Sequence, residues 1–196
     1  MKKIFLLLIL GLNLNVNAQN ASAEKSIFSV QSGFIGLWIN NEIKLVNNLA
    51  LRSEIGIEHD IAVGDQYEGA GFIFQPVLTL EPKFYYNLNK RSQNGRNIKN
   101  NSGNYISLKT SYHPDWFVLN LDDNITKTAD LSIVPTWGFK RQFGDHFTYE
   151  GGAGLGYRIV YLKPNYYNGN SHNVDGFSTN RNQYTPYLHL RIGYIF

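Results

Sequence analysis

"FIFQPVLTLEPKFYYNL", residues 72–88, reads with a period of two. Phe72, Phe74, Pro76, Leu78, Leu80, Pro82, Phe84, Tyr86 and Leu88 share one parity. Gln75, Thr79, Glu81, Lys83 and Asn87 take the other, together with Ile73, Val77 and Tyr85. A strand sends successive side chains to opposite faces, so this pattern predicts a strand over 72–88 with an apolar and a polar side. An apolar face of about nine residues exceeds the usual globular strand and matches a tilted strand that crosses a bilayer. Pro76 and Pro82 cannot donate to a ladder, and bulges are expected at them.

The same period returns along the chain. In "LSIVPTWGFKRQF" Leu131, Ile133, Pro135, Trp137, Phe139 and Phe143 oppose Ser132, Thr136, Gly138, Lys140 and Gln142. In "FTYEGGAGLGYRIVY" the apolar parity is Phe147, Tyr149, Ala153, Leu155, Tyr157, Ile159 and Tyr161, and in "LALRSEIGIE" it is Leu49, Leu51, Ile55 and Ile57. Strands are expected at 27–33, 37–45, 49–63, 72–88, 104–113, 130–143, 147–163 and 184–196, an even number, as in bacterial barrels. The links at 46–48 and 144–146 are short, whereas 64–71, 114–129 and 164–183 are long and polar, the alternation of outer-membrane barrels. The link 89–103, "NKRSQNGRNIKNNSG", falls on the short side yet is long and basic. Either a strand is miscounted or this is a real excursion, and its composition is that of a solvated disordered link.

The N-terminal "MKKIFLLLILGLNLNVNAQN" has a short cationic start, an apolar stretch and small residues before Gln19, the three parts of a secretory signal. Cleavage after Ala18 is expected, which divides the chain into a signal peptide, 1–18, and a barrel domain, 19–196. Loss of Lys2 and Lys3 lowers the net charge from +3 to +1, and removes the main support for nucleic-acid binding. The chain has no cysteine, thirteen Tyr, twelve Phe and eighteen Gly. Disulfides and thiolate chemistry are thereby excluded. The expected fold class is all-β, an eight-stranded antiparallel up-and-down transmembrane β-barrel.

In such a barrel the polar parity points inward and fills the lumen. Glu42, Lys44, Arg52, Glu54, Glu58, Glu81, Lys83, Lys109, Lys140, Glu150, Arg158, His189 and Arg191 are then expected inside, where buried charges must pair. The core of the expected network is Glu42, Arg52, Glu54, Glu81, Lys83, Lys140, Glu150, Arg158 and Arg191. Ser111 and His113 share a face and are weak catalytic candidates, since nucleophilic catalysis needs a base within reach of the hydroxyl. The pair precedes Pro114, and its order differs from the His-before-Ser of small outer-membrane lipid A deacylases. The glycines of "YEGGAGLGYR" lack the lysine and following helix of a phosphate loop; Gly152, Gly154 and Gly156 are expected to make room for bulky lumen side chains. Asp122, Asp123 and Asn124 lack calcium-loop spacing, and the five histidines lack metal-ligand spacing. Neither metal nor cofactor is expected. Loops 114–129 and 164–183, the latter carrying Tyr166, Tyr167 and Phe177, are either the candidate surface for an external ligand or protein or solvated caps whose tyrosines anchor the membrane interface. Lys90, Arg91, Arg96 and Lys99 give the 89–103 link a positive charge that could meet anionic envelope polymer or lipid head groups.

Taken together, "GLWINNEIKL", "LALRSEIGIE", "LTLEPKFYYNL", "NSGNYISL", "YHPDWF", "PTWGFKR", "YEGGAGLGY" and "LRIGYIF" resemble the small outer-membrane β-barrel proteins of the Bacteroidetes type, OmpA/OmpX-like in architecture. The chain end "YLHLRIGYIF" resembles the C-terminal signature of bacterial outer-membrane barrels. That resemblance implies that Leu188, Leu190, Ile192, Tyr194 and Phe196 form an assembly signal read by the barrel-assembly machinery. It implies a place in the outer membrane of a Gram-negative cell, in contact with its lipid, and no particular activity. The first expectation is a non-enzymatic protein that acts structurally or through its external loops. The alternatives are a lipid-modifying enzyme, a narrow pore or carrier for small apolar molecules, and a soluble periplasmic barrel that binds a ligand.

Overall fold

The computed structural model describes residues 21–34, 36–62, 71–117, 119–120, 128–161 and 181–196. The expected signal peptide and most of loops 114–129 and 164–183 lie outside them. Eight long strands form the wall: β1 Ser26–Gly33, β2 Gly36–Val46, β3 Leu49–Ala62, β4 Gly71–Tyr85, β5 Asn104–His113, β7 Asp130–Phe143, β8 Phe147–Val160 and β9 Arg181–Ile195. A two-residue strand, β6 Leu119–Asn120, pairs beside β4 at Ile73 and Phe74. Each long strand is antiparallel to its chain neighbours, and β1 pairs with β9 to close the sheet into a barrel.

The pairing climbs as it goes round. From Ser29 it passes through Asn40, Glu54, Thr79, Ser111, Ser132 and Arg158 to Gln183. Ser29 itself pairs with Ile195, so Gln183 lies twelve residues before the point of closure. Closing a barrel with such a stagger obliges the strands to tilt.

The prolines sit differently from expectation. No register shift occurs at Pro76 or Pro82; the irregularity in pairing falls between Lys44 and Val46 instead. Pro82 and Pro135 lie in gaps of the β4–β5 and β7–β8 ladders, where no donor is required. Pro76 and Pro186 lie beyond the ends of the neighbouring ladders, β4–β5 and β1–β9. A missing N–H is tolerated where no partner strand asks for it.

Burial alternates with sequence parity, as in β5 from Asn104 to His113. The inside is polar and the outside apolar. Among the described residues, buried polar or charged side chains outnumber buried hydrophobic ones by twenty-five to ten. All eight long strands put large apolar side chains on the outside, among them Phe28, Ile39, Ile55, Leu80, Leu108, Ile133, Leu155 and Leu188.

The link after β4 is an ordered cap and not a disordered connection. The strand stops at Tyr85, and Leu88 is buried at the start of a short helix, α1 Leu88–Gln93, instead of extending the outer face. A single 3₁₀ turn, Lys99–Asn101, follows, with Asn100 and Asn101 at φ of 53° and 58°. Asparagine is among the few side chains that accept this left-handed region. Tyr85, Leu88 and Tyr105 pack with Ala23 and Ala50 beneath the cap, and Ile98 closes over them. The cap is tied to the wall: Asn104 N–H donates to Asn87 Oδ1 at 2.7 Å, and Gln142 N–H donates to Ser102 Oγ at 2.8 Å. The excursion is therefore real, and no strand is miscounted.

Candidate functional site

Among the described residues, charge is concentrated away from solvent in the lumen. Arg52 on β3 lies at the centre of its lower half, 1% exposed. Its guanidinium donates to Glu150 Oε1 at 3.0 Å and Oε2 at 2.5 Å, to Glu42 Oε2 at 3.2 Å, and approaches Glu81 at 3.7 Å. Lys83 Nζ reaches Glu150 at 2.5 Å, and Lys140 Nζ reaches Glu42 at 3.3 Å. Three cations thus face three carboxylates. The remaining lone pairs are taken by neutral donors: Tyr85 OH to Glu42 at 2.7 Å, Tyr105 OH to Glu150 at 2.5 Å, and Ser107 Oγ to Glu81 at 2.6 Å. Asn101 Nδ2, on the cap, also donates to Glu42, while its Oδ1 accepts from Glu24 N–H at 2.8 Å. Balanced charge with every carboxylate bonded is what makes burial of six ions tolerable.

A second cluster occupies the other half, towards the long links. Arg191 on β9 donates to Glu54 Oε2 at 2.6 Å and lies 3.7 Å from the Trp38 ring centroid. Trp38 in turn donates from Nε1 to Glu58 Oε1 at 2.9 Å, and Lys109 Nζ approaches the same oxygen at 3.5 Å. Arg158 pairs with Asp130 at 2.6 Å. The residues expected in the network therefore divide. Glu42, Arg52, Glu81, Lys83, Lys140 and Glu150 come together below, Glu54 and Arg191 above, and Arg158 stands at the upper rim. Leu188, Leu190, Ile192, Tyr194 and Phe196 are all exposed on the outer face.

Trp38, Tyr85, Tyr105, Asn101 and Asp130 complete the clusters but were not among the expected residues. Parity alone could have found Trp38, which alternates in phase with Asn40 and Glu42. The glycines of β8 make room for lumen side chains, as expected, and two of them also for the neighbouring strand. Gly152 does make room for a lumen side chain, since a Cβ there would lie 2.6 Å from His189 Cε1. At Gly154 and Gly156 a Cβ would strike the β7 backbone, 2.4 Å from Pro135 O and 2.2 Å from Ile133 O, and would also crowd buried lumen side chains, Thr136 Oγ1 and Val134 Cγ1 at 2.8 Å and Val134 Cγ2 at 2.7 Å. Those two glycines allow close approach of β7 to β8.

The upper cluster borders a cavity of about 150 Å³ whose lining includes Glu58, Lys109, Ser111, His113 and Arg158. His113 Nδ1 lies 2.8 Å from Asp130 Oδ1, and its Nε2 lies 3.5 Å from Glu58 Oε2. Ser111 Oγ is 2.9 Å from Thr79 Oγ1 and accepts from Lys109 Nζ at 2.9 Å. The hydroxyl and the imidazole thus engage different partners and not each other, whereas a nucleophile and its base need mutual contact. Among the described residues no group of three or more His, Asp or Glu side chains is placed to hold a metal ion. No helix among them is long and apolar enough to cross a membrane, which says nothing of a barrel.

One contact ties the cap to the lumen charges. Asn101→Ala removes both the donation to Glu42 and the acceptor for Glu24, and is expected to cost about 1–3 kcal/mol. Limited proteolysis within 89–103 should then become faster, with the wall strands still protected.

No family model, curated protein or solved structure matches the chain.

Proposed function

We propose that the chain is exported, loses residues 1–18 and resides in the outer membrane of a Gram-negative cell as a non-enzymatic β-barrel. Its role is structural or exerted through the loops at the long-link end, and its lumen is closed to conduction. The observation that carries this reading is the inversion of polarity: among the described residues, a largely apolar exterior around a charged interior. In water so large an exposed apolar surface would drive association, since monomeric soluble proteins rarely expose patches beyond a few hundred Å². In a bilayer it is the required outer surface. The aromatic side chains support the same reading. Exposed Tyr86, Trp137, Phe143, Phe147 and Tyr194 gather toward the short-link end, and Trp116, Tyr157, Tyr161 and Tyr184 toward the other, with Ile39, Ile55, Leu80 and Leu155 between. Two aromatic belts bracketing an aliphatic band are the mark of a spanning barrel. The paired lumen supports closure, because in so narrow a barrel the charge-paired side chains of the described residues fill much of the bore.

The test is a charge placed on the outside. Leu155→Arg, on β8 at 65% exposure, should lower stability in phospholipid vesicles by about 2–4 kcal/mol. On a water-facing surface the same change would stay within about 0.5 kcal/mol. Unfolding of the two proteins in urea, followed by the unheated-versus-heated gel shift, separates the cases. Absence of outer-membrane fractionation would overturn the location, and steady single-channel conductance in a planar bilayer would overturn closure.

A further inference from the structure

The cap forms a second polar site, outside the lumen. Between α1 and the outer wall lies a cavity of about 220 Å³ lined by Lys90, Arg91, Asn94, Arg96, Asn104 and Arg141, with no Asp or Glu among its lining residues. Asn104 and Arg141 stand on the outward parity of β5 and β7, and Arg141 Nη2 donates to Asn104 Oδ1 at 2.5 Å. Arg91 and Arg141 are held in place by backbone carbonyls: Arg91 donates to Asn97 O at 2.9 Å, and Arg141 to Gly103 O at 2.8 Å. Arg91 Nε is shielded from solvent and has no hydrogen-bond partner. Partial burial, with the neighbouring Arg96 charge, pulls the Arg91 guanidinium below its ordinary pKa. Four cations converge with no carboxylate among the described lining residues, at a cost in mutual repulsion that a bound anion would relieve.

The surroundings identify where that anion sits. Trp137 Nε1 donates to Tyr86 OH at 2.9 Å on the same outer wall, and the Arg141 guanidinium lies 5.6 Å from the Phe139 ring centroid. Trp and Tyr rings concentrate at the level of lipid head groups. Guanidinium forks match phosphate oxygens two at a time, and asparagine amides supply further donors.

We propose that this cavity binds the phosphate of a glycerophospholipid in the membrane leaflet facing the short-link end, with Arg91 and Arg141 as the fixed pair and Lys90 and Arg96 closing over it. The proposal rests on the membrane reading above. It turns the basic link into a clamp that sets the barrel's depth on one leaflet.

The test uses the full mature chain in detergent, examined by native mass spectrometry with phosphatidylglycerol, uncharged diacylglycerol, or inorganic phosphate alone. Wild type should retain one phosphatidylglycerol and no diacylglycerol. Lys90→Gln with Arg96→Gln should weaken retention at least tenfold; neither side chain makes a hydrogen bond to a described residue, so the fold should persist. Lys25→Gln with Lys99→Gln removes the same charge outside the cavity and should leave retention unchanged. Equal loss in both double variants, or no loss in either, overturns the proposal. Retention of inorganic phosphate without the lipid assigns the cavity to a soluble phosphate compound and overturns the lipid source. A chain that inserts in vesicles but shows no lipid preference defeats this proposal alone; a chain that never inserts defeats the membrane reading.

Discussion

Arg52→Leu is expected to lower the unfolding free energy by about 3–5 kcal/mol, the cost of breaking a buried ion pair by removing one partner. Leucine keeps an apolar stem and removes the guanidinium that meets the three carboxylates. Among the described residues, Glu42, Glu81 and Glu150 would then face the two lysines Lys83 and Lys140, with the His189 ring 3.6 Å from Glu150, so three carboxylates would stand against two permanent cations. The double change Arg52→Leu with Glu150→Gln restores the balance and should recover more than half of the loss. A double-mutant cycle by urea unfolding in vesicles reads the coupling directly. A loss below about 1 kcal/mol for the single variant would mean that water or relaxation solvates the carboxylates, and that the network does not hold the lumen shut.

Gly138→Ala should be nearly as damaging although it adds one methyl group. The added Cβ would lie 2.5 Å from both Cζ and OH of Tyr105, whose ring is fully buried. Tyr105 cannot retreat, because its hydroxyl is bonded to Glu150 and Lys83 Nζ sits 3.7 Å from its ring centroid. Overpacking costs about 1–3 kcal/mol, and a broken hydrogen bond to a charged group about 1.5–3 more. Tyr105→Phe should incur only the second cost, and in a Tyr105→Leu background the Gly138→Ala penalty should largely vanish. An undiminished penalty there would show that the glycine serves the backbone instead of the ring.

These two sites mark the boundary of what the chain makes legible. Period-two alternation is a local property, so "LTLEPKFYY" and "LSIVPTWGFK" disclose their strands, their faces and the inward set of Glu81, Lys83 and Lys140 without any tertiary knowledge. Which charges meet is not local. Arg52 and Glu150 stand on β3 and β8, on opposite sides of the lumen, and their meeting depends on the accumulated stagger of the intervening strands. The cap was illegible for a different reason. Between Leu88 and Gly103 there is no periodicity, and its order comes from single contacts such as Asn101 to Glu42 that composition does not reveal. A basic, asparagine-rich stretch has the composition of disorder, yet here its asparagines do the work of turn backbone and lumen plug at once. Gly138 belongs to the same class: opposite Tyr105 in register, it is ordinary in sequence and indispensable in space.

The twelve-residue climb of the pairing has an engineering consequence. For a fixed number of strands, greater lean means a larger circumference and a broader cross-section. The wall is held by backbone ladders, whereas the interior is occupied by detachable side chains of arginine, lysine, glutamate and tyrosine. Exchanging those fillers for short neutral residues in matched cation–carboxylate pairs would hollow the cylinder without unbalancing it. The chain is thus a template for a vessel whose capacity can be set pair by pair.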